Sequence, residues 1–272
     1  MNRHQLIHQI IQKQNYLCVG LDTDIDKIPQ HLLSADDPVF EFNKAIINAT
    51  KNFCVSYKIN TAFYEAMGLK GWDALQKTIE YTPETHFTIA DAKRGDIGNT
   101  SAQYAKAFFE TYGFDAITVA PYMGEDSIRP FLNYKDKWTI VLGLTSNKGS
   151  EDFEQQLLQI GLPLFMEVMS KTASWGTIEN LMFVVGATKA EQLATIRKQF
   201  PQHFFLVPGV GTQGGSLREV SKAALTIDGG LLVNVSRAII YASSGEDYAL
   251  AAGVVAKKYA DEMRKLCEKI NR

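Results

Sequence analysis

The sequence predicts an α/β protein built as one (β/α)8 barrel, a TIM barrel, with an extra helix at its N-terminus. Three observations predict it. Short, almost continuous apolar runs recur eight times along the 272 residues, a helix-patterned stretch follows each run, and polar residues collect where the runs end. Near-continuous hydrophobic strands alternating with helices imply a parallel sheet covered on both faces. Eight such units over this length suit a single barrel spanning residues 1–272. An open, doubly wound sheet is the alternative, because strand order is invisible to patterning.

Taken in order, Met1 to Gln14 is polar and helix-patterned and lacks the build of a signal peptide. The strand candidates are Tyr16–Asp22, Val55–Asn60, His86–Asp91, Ala116–Ala120, Trp138–Thr145, Leu181–Ala187, His203–Pro208 and Leu231–Ser236. Between and after them lie helix candidates at Pro38–Lys51, Gly71–Glu80, Thr100–Tyr112, Glu125–Tyr134, Leu157–Ser174, Lys189–Phe200, Ser216–Ala224 and Glu246–Ile270. The last carries an apolar stripe at Val255, Tyr259, Met263, Leu266 and Ile270. Thr100-Ser101-Ala102-Gln103 has the form of a capping box opening its helix.

The bulk properties narrow the function classes. A net charge of -2 offers no electrostatic case for nucleic acid or an anionic membrane. No apolar run is long enough to span a bilayer, so a cytoplasmic location is expected. Three cysteines, Cys18, Cys54 and Cys267, lie far apart without CxxC spacing, which argues against a disulfide framework or a zinc site. His4 and His8 are four apart on the first helix but have no third ligand in view, so they read as a solvated face. Trp72, Trp138 and Trp175 read as packing or interface residues, and Glu151, Asp152 and Glu154 as a mobile acidic loop in the longest inter-strand segment.

The stretch from Asp91 to Thr100, Asp-Ala-Lys-Arg-Gly-Asp-Ile-Gly-Asn-Thr, carries the densest chemistry. Residues two apart share a strand face, so Asp91 and Lys93 emerge together at the end of strand three, with Asp96 just beyond. Alone, this pattern reads as a solvated loop with an incidental salt bridge. Barrel enzymes, however, place their chemistry at the C-terminal strand ends, and here Asp22, Lys58 with Asn60, Thr145 with Ser146, Gln213, and Ser236 with Arg237 stand at the others. Strands four and six end more blandly. Gly209 to Gly214 spells G-x-G-x-x-G, but it opens the seventh unit and Asp228 precedes the next strand, so a dinucleotide fingerprint is rejected. A glycine-rich loop after strand seven with an arginine after strand eight is the phosphate grip of a barrel.

These residues resemble the orotidine 5'-monophosphate decarboxylase family of pyrimidine nucleotide synthesis. The resemblance rests on D-x-K-x-x-D-x-x-x-T (Asp91, Lys93, Asp96, Thr100), on Pro208-Gly209-Val210-Gly211 with Gln213, and on Arg237. It extends to Asp22, Lys58 and Ser146, and the full string is similar to the longer bacterial branch. Two departures from shorter members stand out: Thr145-Ser146-Asn147 in place of a Met-Ser pair, and Ser236 in place of a glycine before the arginine. The resemblance implies conversion of orotidine 5'-monophosphate (OMP) to UMP and CO2 without a cofactor or metal. It implies that Asp91 faces the substrate carboxylate and that Lys93 protonates C6. It further implies that Lys58 and Asp22 meet the ribose, that Ser146 meets the base, that Gln213 and Arg237 hold the phosphate, and that Pro208 and Ser236 also bind substrate. Asp96 and Thr100, with Ile97, complete the site of a partner in a homodimer.

The chemistry agrees with that implication. Losing CO2 from C6 leaves a carbanion that no conjugated carbonyl absorbs, and in the absence of a borrowed electron sink fixed charge must stabilise it. An ammonium flanked by carboxylates keeps its proton and can deliver it. Two other readings compete. A magnesium-dependent sugar-phosphate decarboxylase or aldolase on the same barrel needs a carboxylate after strand two, where Lys58 stands. A non-catalytic phosphoribosyl-ligand sensor could use the phosphate loop and Arg237, but gains nothing from the Asp91–Lys93–Asp96 array.

Overall fold

Parallel pairing in chain order closes the sheet on itself: β1 (Leu17–Gly20), β2 (Ser56–Asn60), β3 (Phe87–Arg94), β4 (Ala116–Val119), β5 (Trp138–Leu144), β6 (Leu181–Val185), β7 (Phe204–Val207) and β8 (Leu231–Val235). The computed structural model describes residues 1–187, 190–211 and 215–270. β1 pairs with β2 through Cys18↔Ser56 and with β8 through Cys18↔Asn234, so the open-sheet alternative is excluded. Strands such as β6, Leu-Met-Phe-Val-Val, are buried at every position because side chains fill the barrel on one face and meet helices on the other.

The helices pack outside. α1 (Arg3–Lys13) opens with a capping box between Asn2 and Gln5 and buries Leu6 and Ile10. It closes the N-terminal end of the barrel, where the Lys13 ammonium donates to the Lys51 and Cys54 carbonyls at 3.0 and 2.7 Å. His4 and His8 are exposed, as a solvated face requires. α2 (Pro38–Thr50) begins on a proline behind the Asp37 cap and buries Phe42, Ile46 and Ile47. α3 (Thr61–Glu65) and α4 (Leu69–Tyr81) follow β2, α5 (Gly98–Lys106) follows β3, and α6 (Glu125–Leu132), α7 (Leu164–Trp175), α8 (Ala190–Gln199) and α9 (Leu217–Ala224) follow the next strands. After β8 come the single turn α10 (Arg237–Ile240) and the long α11 (Tyr248–Ile270).

Several boundaries differ from the sequence expectation. α5 starts at Gly98 behind Ile97 with no side-chain cap, so the capping box at Thr100 does not form; Thr100 already sits in the first turn, its N–H donating to Ile97 O at 3.1 Å. The helix then widens to a π turn over Ala107–Thr111. α7 begins at Leu164 rather than Leu157, because Leu157 and Pro163 bridge across a turn. On α11 the expected stripe packs on the core, with Met263 fully buried and Val255, Tyr259 and Leu266 partly buried, while Ala252, Ala256 and Ala260 make deep contacts beside it. Small residues win there because the helix crosses α2 closely: a Cβ on Gly253 would stand 2.9 Å from Ala49 O. Cys18 and Cys54 are fully buried, and burial pushes both thiols up to about 12, as expected of core residues. Trp138 is core as well, donating from Nε1 to Met1 O at 3.0 Å. Among the described residues, no helix is long and apolar enough to cross a membrane.

Two histidines at the N-terminal end are held as neutral rings, His86 buried and His203 half-buried. His86 lies 2.7 Å from Lys51 O and 3.0 Å from the Lys13 ammonium; burial first, and that cation second, pull it down to about 4. His203, packed against Phe183 and Phe200, is pulled down to about 4 by burial and then by Arg197 and Arg3. Between about pH 6.5 and 4 the unfolded chain therefore binds more protons than the folded one. Their contribution to stability is complete above about pH 6.5 and lost as the pH falls toward 4, at about 2 kcal/mol per ring after solvent screening. Urea unfolding across this range is expected to show stability dropping toward pH 4 in the native chain and dropping less steeply in His86→Gln; equal slopes would remove His86 as a cause.

Candidate active site

Parallel strands all deliver their C-terminal ends to one rim, and there the register sets charged side chains side by side. Gly20 pairs with Lys58, and Asn60 pairs with Asp91. Lys58 Nζ lies 3.1 Å from Asp22 Oδ1 and 2.8 Å from Asp91 Oδ2, and Lys93 Nζ lies 2.6 Å from Asp91 Oδ1. Four alternating charges thus run across three neighbouring strands. Lys58 is almost fully buried, whereas the Lys93 side chain is 48% exposed at the mouth. Burial alone would raise the Asp91 carboxyl, but the Lys58 and Lys93 ammonium groups outweigh it and hold Asp91 well below the usual carboxylate range. Burial would likewise lower Lys58, and Asp22 and Asp91 reverse it, keeping that amine firmly protonated.

Asp22 sits just past β1 on a loop pinned from below. The Tyr241 hydroxyl donates to Asp22 O at 3.2 Å and accepts from Asp24 N at 2.8 Å. The Tyr64 hydroxyl donates to Leu21 O at 3.0 Å while accepting from the buried Asn43 amide at 2.8 Å.

Asp91 and Lys93 do meet, but not as the end of a regular strand. β3 runs on to Arg94, and its pairing with β4 jumps from Ala90↔Ile117 to Arg94↔Val119. Lys93 lies at φ +47°, a left-handed conformation costing roughly 1–3 kcal/mol in a residue with a side chain. Thr118, on β4, meets this distortion: its hydroxyl accepts from Lys93 N at 2.9 Å and donates to Asp91 Oδ1 at 3.1 Å. Sequence reasoning passed over Thr118 because a threonine inside an apolar strand carries no signal. Arg94, next to Lys93, pairs with Glu65, donates to Ala92 O at 3.0 Å, and lies over the rings of Tyr104 and Phe108.

The other predicted residues that the structure describes lie on loops or first helical turns at the same end of the barrel. Asp96 is half-buried and accepts from Ile97 N at 2.8 Å, while Ile97 and Thr100 are exposed; among the described residues Asp96 forms no ion pair with Lys93. Ser146 lines a cavity of about 290 Å³ with Thr145, Gln155, Gly186 and Gln192. Glu154 is anchored here rather than part of a free acidic loop, accepting from Thr145 N at 2.7 Å and Thr145 Oγ1 at 2.8 Å. Pro208 O accepts from Ala187 N at 3.1 Å, and Gly209 and Gly211 take φ +95° and +86° as the loop turns back through Val210↔Gly215. Gln213 lies outside the described residues. Ser236 Oγ donates to Gly20 O at 3.1 Å, tying β8 to β1. Arg237 is exposed, and among the described residues its guanidinium makes no hydrogen bond or ion pair, unlike a surface arginine neutralised by a carboxylate.

Comparison with known proteins bears on this mouth. Residues 15–252 match the family model described as orotidine 5'-phosphate decarboxylase / HUMPS family. The chain is 58% identical over 274 residues to the orotidine 5'-phosphate decarboxylase of Christiangramia forsetii, covering 99% of this chain and 100% of that one. It superposes on the structure of Leishmania donovani OMP decarboxylase with a TM-score of 0.82 and 35% identity, over 97% of this chain and 99% of that one. Against Leishmania donovani UMP synthase the TM-score is 0.82 at 37% identity, and the chain covers 56% of that longer protein and 96% of itself.

Removing one partner from a buried charge pair leaves the others unpaired and costs about 3–5 kcal/mol. Lys58→Met is therefore expected to destabilise the fold by that amount in urea unfolding, and Asp22→Asn added to it to recover part of the loss; an unchanged midpoint for Lys58→Met would contradict the charge relay.

Proposed function

The chain belongs to the orotidine 5'-phosphate decarboxylase / HUMPS family, and from that premise we propose that it converts OMP to UMP and CO2, with Lys93 delivering the proton to C6. The observation that carries this reading is the unbroken sequence Asp22–Lys58–Asp91–Lys93 at the barrel mouth. Cleavage of the bond between C6 and the carboxylate leaves its electron pair on C6. The Lys93 ammonium stabilises that pair electrostatically and then transfers a proton to it, leaving a neutral amine to be reprotonated from water. Asp91 fixes Lys93 and, in this reading, faces the substrate carboxylate, a repulsion relieved as CO2 departs. Binding of the remote phosphate by Arg237, Ser236, Pro208 and Gln213 offsets that repulsion.

Lys58 and Asp22 are assigned to the ribose hydroxyls. Ser146, which lines the cavity beside β5, is assigned to the base. A magnesium-dependent sugar-phosphate reaction is not favoured: the Lys58 ammonium occupies the two carboxylates that a divalent cation would need, and repels it. A sensor would have no use for a strained lysine at φ +47°.

A cytoplasmic homodimer completes the proposal, with Asp96, Ile97 and Thr100 of each protomer reaching the other's site. Supporting it, Leu69, Ile97, Tyr122 and Met123 are exposed on the segments after β2, β3 and β4, at the end of the barrel that bears the mouth. Purified protein incubated with OMP, without added metal or cofactor and after EDTA dialysis, is expected to bleach orotate absorbance at an undiminished rate. Lys93→Ala is expected to lose about 10³-fold or more in kcat while still binding UMP. Mixing Lys93→Ala with Asp96→Ala protomers is expected to restore about one quarter of native activity, because half the dimers are then hybrids with one intact site; no recovery after proven subunit exchange would sink the shared site.

A further inference from the structure

We propose that Thr118 is a positioning residue for the reaction, setting where the Lys93 ammonium stands by holding both its backbone and its partner; this rests on the reading of Lys93 as the proton donor. Between Ala90↔Ile117 and Arg94↔Val119, β3 carries two more residues than β4. A bulge of that kind leaves strand amides without ladder partners. The chain is pinned on both sides, at Asp91 through Asn60 of β2 and at Arg94 through Val119, with Ala120 N donating to Arg94 O at 2.8 Å. The extra length is taken up between those pins, and Lys93 absorbs it by turning left-handed.

The Thr118 hydroxyl replaces the missing ladder bond. It accepts the Lys93 N–H at 2.9 Å, and its own proton goes to Asp91 Oδ1 at 3.1 Å, the same oxygen that holds Lys93 Nζ at 2.6 Å. One hydroxyl therefore constrains the lysine at its amide and, through Asp91, at its amine. Thr118 is fully buried, so water does not readily substitute for it. Thr139, on the adjacent β5, is equally buried, yet among the described residues its hydroxyl has no partner. It supplies the control for removing a buried hydroxyl from this part of the barrel.

The test is steady-state decarboxylation of OMP by Thr118→Val, Thr118→Ser and Thr139→Val, together with a crystal structure of Thr118→Val. Valine keeps the shape and removes both hydrogen bonds. A displacement on the order of 1 Å at the proton donor is expected to lower kcat by about tenfold to a hundredfold, with KM within about threefold of native. Thr118→Ser is expected to restore kcat, and Thr139→Val to match the native enzyme. In the Thr118→Val crystal, Lys93 is expected to leave the left-handed region and its Nζ to leave Asp91. The proposal is overturned if Thr118→Val turns over within about twofold of native, or if Thr118→Ser is as impaired as Thr118→Val. Should the native chain itself fail to decarboxylate OMP, the functional reading falls. The crystal structure then decides the positioning claim alone, an unmoved Lys93 refuting it. Thr118→Ala replaces the valine variant if that one does not fold.

Discussion

Asp91 is held by three strands at once. Lys58 reaches it from β2, Lys93 from its own β3, and the Thr118 hydroxyl from β4. A carboxylate this deeply placed is tolerable only when its oxygens are occupied by cations and donors, since an uncompensated buried charge costs several kcal/mol. Each partner is thereby constrained in turn: Lys58 cannot swing outward without exposing Asp22 and Asp91 to each other, and Lys93 cannot extend without leaving Asp91 behind. The mouth of the barrel is organised by this one anion more than by any pocket shape.

The closed parallel sheet is what makes such an arrangement possible. Every strand points its last residues at the same rim, so residues 22, 58, 91 and 118, distant in sequence, become neighbours. The one irregularity that matters is local. The extra length in β3 and the left-handed Lys93 store strain where a regular strand would have carried the lysine onward along the sheet, and the surrounding bonds over-determine the distortion. Strain at this residue sits beside polar contacts that a structural role alone would not require.

The opposite end of the barrel is built for stability. Lys13 caps the Lys51 and Cys54 carbonyls, and Arg197 donates to the carbonyls of Ala224, Phe200, His203 and Gly230 while lying over Phe205. These cations satisfy backbone groups rather than face an open mouth. Barrels commonly divide labour in this way, with function on the loops after the strands and stability at the opposite face.

Much was legible in the sequence because it is local. Strands covered on both faces are mostly apolar, so their recurrence announced the barrel, and Asp22, Lys58, Asp91 and Lys93 could be placed near strand ends by counting along each run. Thr118 was not legible: its role depends on a register jump between β3 and β4, and a hydroxyl among apolar neighbours looks like any strand threonine. The start of α5 was misread for a related reason, since a capping pattern at Thr100 has no force once the chain leaving the bulge has already turned helical at Gly98. Glu154 likewise looked like loop charge until the fold brought it to Thr145. Apolar periodicity determined the architecture, because it follows from which side chains can be buried, and motif spacing at the strand ends singled out the charged residues of the mouth. Pairing register decided which atoms touch, because hydrogen bonds between strands are set by relative shifts of a few ångströms that a linear pattern does not encode.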